Sequence, residues 1–256
     1  MKRTFLQIFV FVCISYTALA QNNPNINVTF FGSSVCHGAG AEDRHGYGWQ
    51  LFHNGAIDTI KYKYFNASTG GDNTIKVEKE DRILKKLYPT NPDIVVIGLS
   101  LANEGIMTPK NDNGREQIVE QFRSRLLAMA DSLNILGIRP IIVNCYAHSH
   151  FNKSQYEFTK KMNRIINTWK YPSINVLGTI DDLEGKWVEG YLADPGHPNT
   201  AGHQEMSYAI VPSLFDAILM GKKIPAYDWH RSYLTLVNDN HIEHPLYLKI
   251  ESTMHS

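Results

Sequence analysis

The sequence predicts an α/β fold built on a parallel, doubly wound sheet, and three observations carry that prediction. Short apolar runs recur with amphipathic segments between them, in the order βαβαβαβαβα that a parallel sheet with crossover helices needs. Two of these runs, "DIVVIGLS" at 93–100 and "RPIIVNCY" at 139–146, are near-continuous and β-branched, as strands buried on both faces are. A length of 256 residues suits one full domain of this kind with little left over.

The elements follow in chain order. The first twenty residues, MKRTFLQIFVFVCISYTALA, combine early basic residues, an apolar run and a closing Ala18-Leu19-Ala20. That pattern predicts a secretory signal peptide over 1–20, a mature chain from Gln21, and a secreted or periplasmic location. The apolar run is shorter than the roughly 20 residues of a spanning helix, so no stable membrane insertion is expected after cleavage. Strands are expected at Ile26–Gly32, 60–67, 93–100, 139–146 and 174–179. The clearest helix is "REQIVEQFRSRLLAMADSLNILG", where Ile118, Val119, Phe122, Leu126, Met129, Ala130 and Leu133 recur at three- and four-residue spacing before a capping Gly137. Weaker helical patterns cover 47–57, 78–87, 154–169 and 200–220. One domain is thus expected over 21–224. The extension at 225–256 has no helical period and carries alternating stretches at 233–237 and 246–250. It reads either as the start of a truncated β-rich domain or as a tail that packs back.

Composition excludes some partners. Lys plus Arg and Asp plus Glu are equal at 25 each, so no summed field draws the chain to nucleic acid or to an anionic membrane. Beyond the signal only Cys36 and Cys145 remain, read as two small unpaired thiols near strand ends, and no Cys/His spacing suggests zinc.

Ligands of an open parallel sheet bind outside the carboxyl ends of its strands. The residues there are Gly32-Ser33-Ser34-Val35-Cys36-His37-Gly38, then "NASTGGDNT", "LSLANEG", "YAHSHF" and "ADPGHPNTAGH". A serine hydroxyl attacks only once a base takes its proton, and the imidazole that does so needs a carboxylate to orient it. Asp194 and His197, three apart before the last helix, are such a pair. An oxyanion needs N–H donors, and Ser34 N–H, Gly71 N–H and the Asn103 amide are candidates.

Taken in order, these blocks resemble the SGNH hydrolases, or GDSL-type esterases and lipases. Gly32-Ser33-Ser34 resembles the family's GDS, and "NASTGGDNT" its oxyanion glycine before an acid. "GLSLANEG" is similar to its GxND block, and Asp194-Pro195-Gly196-His197-Pro198 to its DxxH-P. The resemblance spans 28 to 221. It implies a flavodoxin-like three-layer α/β/α sandwich with a five-stranded parallel sheet, Ser34 as nucleophile, His197 as base and Asp194 as its partner. It also implies Ser34, Gly71 and Asn103 as oxyanion donors, with no metal or organic cofactor. Two positions depart from the pattern: Ser33 and Glu104 stand where the family keeps aspartates.

The expected activity is hydrolysis of a small acetyl-type ester on a small molecule or glycan. A lysophospholipase or thioesterase is the rival enzyme, and a non-catalytic glycan-binding module the rival class. His37, Glu104, His148 and His150 are candidates for substrate contact at the rim, Tyr47 and Trp49 read as core, and His203 reads as a helix residue.

Overall fold

In the computed structural model, which describes residues 25–222, five parallel strands form one sheet in the order β2-β1-β3-β4-β5. The strands are β1 (Ile26–Gly32), β2 (Tyr62–Asn66), β3 (Ile94–Gly98), β4 (Arg139–Val143) and β5 (Ser173–Ile174). The order is flavodoxin-like, and helices cover both faces, which makes the three-layer α/β/α sandwich. The signal segment 1–20 and the extension 225–256 lie outside the described residues.

Alternation along each strand divides the core. Phe30, Val96 and Ile141 face one layer, with Tyr47, Leu51 and Phe52 of α2 (Tyr47–His53), Met206 of α8 (Thr200–Tyr208) and Phe215 of α9 (Ser213–Leu219). Phe31, Val95, Ile97 and Ile142 face the other, under α5 (Asp112–Ile135) and α6 (Lys153–Ile166). This is why the central strands read as continuous apolar runs: neither side of the sheet meets water. The buried stripe of α5 is Val119, Phe122, Leu126, Met129, Ala130 and Leu133, as its spacing predicts, with Gly137 left-handed just beyond its end. Asn side chains start four of the described helices: Asn73, Asn111 and Asn199 each accept one backbone N–H, and Asn152 forms a reciprocal capping box with Gln155.

Several boundaries differ from the sequence expectation. The strand expected over 174–179 ends at Ile174, and Leu177–Ile180 is a helical turn, α7. The helix expected over 200–220 is two, because Pro212 has no N–H to give and disfavours helical backbone at Val211 before it. The segment expected helical over 78–87 divides into α3 (Thr74–Lys79) and a wide helical turn at Ile83–Leu87, with left-handed Asp81 between them. Helix α2 stops at His53, ahead of left-handed Gly55.

The chain leaves β1 toward β2 on one side and leaves β3 toward β4 on the other. A crevice therefore opens at their carboxyl ends, where Gly32 and Gly98 are register partners. A Cβ on Gly32 would lie 2.1 Å from the Gly98 carbonyl oxygen, a backbone atom that cannot swing away. Gly32→Ala is expected to lose roughly 3 kcal/mol of stability or fail to fold, which urea unfolding would measure.

Candidate active site

Beyond Gly32 the chain makes one extended step at Ser33 and enters α1 (Ser34–His37), closed by left-handed Gly38. The Ser33 N–H donates to Gly98 O at 3.1 Å, which holds the turn against β3. As the first residue of a helix, Ser34 has an N–H that no carbonyl of that helix can reach.

A short hairpin, β6 (Leu192–Asp194) with β7 (His197–Pro198), brings the other partners. His197 Nε2 lies 2.9 Å from Ser34 Oγ, across 163 residues of chain. Its Nδ1 lies 2.9 and 2.8 Å from the two Asp194 carboxylate oxygens. Burial pushes the Asp194 carboxyl up, but the His197 hydrogen bond and the Gly196 N–H outweigh it and hold the group below the usual carboxylate range. An ionised carboxylate only accepts, so Nδ1 carries the ring proton and Nε2 is left to accept from Ser34. Asn199, capping α8 two residues on, fixes where the hairpin ends.

The loops after β2 and β3 are tied to one another. Asn103, in α4 (Leu101–Glu104), donates from Nδ2 to Asp72 O at 3.1 Å, and Asn73 Nδ2 donates back to Asn103 O at 3.0 Å. An amide nitrogen has two hydrogens, so one Asn103 N–H remains for a ligand. Gly71 sits at φ +75, where a side chain would be strained, and Lys76 Nζ donates to its carbonyl.

Glu104 requires a correction. It is buried, and its oxygens accept from Thr74 N at 3.0 Å and from Thr74 Oγ1, so it faces the neighbouring loop rather than the substrate rim. The longer side chain at this position spans the gap between the two loops.

The rim histidines differ in placement. His148 lies beside the Asp194–His197 turn, since a Cβ on Gly196 would be 3.5 Å from its Nε2. Burial, with His150 and His197 nearby, pushes its pKa down. His150 is exposed, its ring 5.4 Å from that of His148. His37 is half-buried, with Nδ1 enclosed and unbonded among the described residues. Tyr47 is core, as expected. Trp49 is half-buried between the rings of His45 and His53, at 3.5 and 3.9 Å, so neither face is free as a sugar platform. Cys36 and Cys145 are both free and buried, and burial pushes the Cys145 thiol up to about 12. Among the described residues, no group of three or more His, Cys, Asp and Glu side chains is placed to hold a metal ion.

Three residues to which the sequence assigns no role in the chemistry support the site, among them His203, which reads there only as a helix residue. Tyr146 meets Ser33 through its hydroxyl, Trp187 meets Pro195 through its indole N–H, and His203 joins two loops. Only Tyr146 has a positional signal in the sequence, as the last residue of the strand expected over 139–146; in the structure it lies three residues beyond the end of β4.

A parallel sheet of this order, with hydroxyl, imidazole and carboxylate aligned at its carboxyl edge, defines a three-layer protein equipped for acyl transfer. The chain belongs to the GDSL-like lipase/acylhydrolase family, whose profile matches residues 30–205, more than half its length. Membership places it among ester-hydrolysing enzymes. No curated protein sequence matches it significantly.

Solved structures are similar in fold. A lipase from a goat rumen metagenome superposes with a TM-score of 0.59 at 13% identity, over 72% of this chain and 95% of that one. A GDSL-like lipase from Bacteroides thetaiotaomicron gives 0.54 at 15% identity, over 75% and 88%. Axe2, an acetylxylan esterase from Geobacillus stearothermophilus, gives 0.52 at 12% identity, over 72% and 91%.

His203 is fully buried: Nδ1 accepts from Tyr47 N at 3.2 Å and Nε2 faces Ala39 O at 2.9 Å. Burial lowers its pKa from 6.5 to about 4. Between those values the unfolded chain takes up a proton that the folded protein excludes. The stability this residue contributes is complete above pH 6.5 and falls by about 3 kcal/mol as pH drops to 4. His203→Gln should flatten that part of a stability-versus-pH curve measured by urea unfolding.

Proposed function

We propose that the protein is a secreted serine esterase that removes a small acyl group, of acetyl type, from a carbohydrate carrier. The observation that carries this reading is the single imidazole, His197, bridging Ser34 Oγ and the Asp194 carboxylate. Ser34 Oγ attacks the ester carbonyl carbon while its proton passes to His197 Nε2. The carbonyl oxygen, now negative, is held by the N–H groups of Ser34 and Gly71 and the remaining Asn103 N–H. Collapse expels the carrier alcohol, which takes the proton from His197. Water then attacks the acyl-serine with His197 again as base, releasing the acid and restoring Ser34.

The substrate class rests on the rim. The Asp194 side chain is 52% exposed and that of His197 28%, and β6 is exposed along its length. Such an open edge admits a bulky polar carrier and offers little enclosure to a long acyl chain. The fold likeness to an acetylxylan esterase agrees with that reading.

Three measurements test it. A fluorophosphonate should label Ser34 in the wild type and fail to label Ser34→Ala; a well-folded wild type that stays unlabelled would make the protein a binding module. Asn103→Ala should lower kcat by about 100- to 1000-fold with the fold intact, and near-full activity would remove Asn103 from the oxyanion site. Acetyl nitrophenyl esters should be turned over faster than octanoyl ones, and the reverse preference would favour a lysophospholipid or thioester substrate.

A further inference from the structure

The nucleophile and its base sit on separate turns, yet a chain of contacts through the buried Ser33, Tyr146 and Trp187 joins those turns from behind. At one end, Ser33 Oγ lies 3.1 Å from Tyr146 OH, and both residues are buried. The Tyr146 ring stacks on Trp187 with centroids 5.9 Å apart and planes 26° from parallel. At the other end, Trp187 Nε1 donates to Pro195 O at 3.0 Å. That carbonyl also accepts from Ser149 N at 2.9 Å. The N–H of the same peptide unit belongs to Gly196 and donates to Asp194 Oδ1 at 2.8 Å. The Pro195–Gly196 peptide is therefore held at both edges, one of them by the Trp187 indole and the other against the catalytic carboxylate.

From this continuous path we propose that Tyr146 and Trp187 are positioning residues for ester hydrolysis: together they set the Ser34–His197 alignment by bracing the Ser33–Ser34 turn against the Asp194–His197 hairpin. The proposal rests on the serine esterase reading above. Ser33 has a structural use on this account. Its short hydroxyl fits the Tyr146 phenol, and burial pushes that phenol up to about 12, so it stays neutral and leaves no net charge behind the nucleophile. Neither Tyr146 nor Trp187 is placed here in contact with the reacting atoms.

Tyr146→Phe removes only the hydroxyl, and Trp187→Phe keeps a ring for the stack while deleting the N–H. Each is expected to lower kcat on an acetyl ester, and the fluorophosphonate labelling rate, by about 10- to 100-fold with KM within about twofold. The double variant should fall little further than the more impaired single one, because both act on one alignment. Tyr171→Phe is the control for stability: its buried phenol bonds Asp131, remote from this chain of contacts, and its loss should lower Tm with kcat unchanged. Folded variants with wild-type kcat, or with only a raised KM, would overturn the proposal. Should the wild type itself neither label nor turn over, the esterase reading fails instead. The low-field proton NMR signal of His197 Nδ1–H then decides alignment without turnover: displacement in Trp187→Phe supports the brace, and an unmoved signal in both variants overturns it.

Discussion

The site depends on the close approach of two backbones, β1 and β3, at Gly32 and Gly98. With no side chain between them, the Ser33 N–H reaches the Gly98 carbonyl, and the chain turns into α1 directly above the sheet edge. That turn presents the Ser34 hydroxyl where the hairpin carrying His197 arrives. A methyl group at Gly32 would force the strands apart and move Ser34 with them. The same pair of strands borders the crevice, so the constraint that closes the core also opens the site.

Charge is used sparingly around Ser34. The aspartates of the family pattern are absent at 33 and 104, and the structure handles each difference locally. Ser33 meets a neutral phenol, and Glu104 is absorbed by the backbone and hydroxyl of Thr74. The Asp194 carboxylate, joined to Ser34 through the His197 ring, therefore acts on the imidazole with little competition from these positions. In a partly desolvated setting such an ionised partner both selects the ring tautomer and stabilises the cation that forms when the ring takes a proton.

Behind the reacting groups lies a layer of buried polar residues held neutral. His203 has both ring nitrogens engaged, and the Tyr146 phenol is paired with Ser33. Buried polar groups cost little when partnered and a great deal when not, so such a layer is rigid as long as it stays neutral. The Asn103–Asp72 and Asn73–Asn103 bonds lock the loops after β2 and β3 in the same manner.

Much of the architecture was legible in the sequence because it is locally encoded. Apolar runs marked the strands, helical spacing marked α5, and the chemistry-bearing side chains followed strand ends. The strand-end blocks carry Ser34, Gly71, Asn103, Asp194 and His197 in order, and of these the fold joins Ser34, His197 and Asp194 by hydrogen bonds. Helix ends were less legible, because left-handed Asp81 and the break ahead of Pro212 interrupt patterns that continue in composition. Glu104 reads from sequence as a rim residue yet is buried against Thr74, because sequence shows that a residue is near a site, not which way it points. Tyr146 heads a strand-end block and so has a position near the sheet edge, but neither it nor Trp187 shows its partner in the sequence, since those partners lie 113 and 8 residues away across different elements. The sequence by itself determined the layers and the residues at the sheet edge, because burial on two faces and turn chemistry act over a few neighbouring positions. Only the tertiary structure decided which edge residues meet and what braces them, because strand register and loop packing set distances between parts of the chain that share no local pattern.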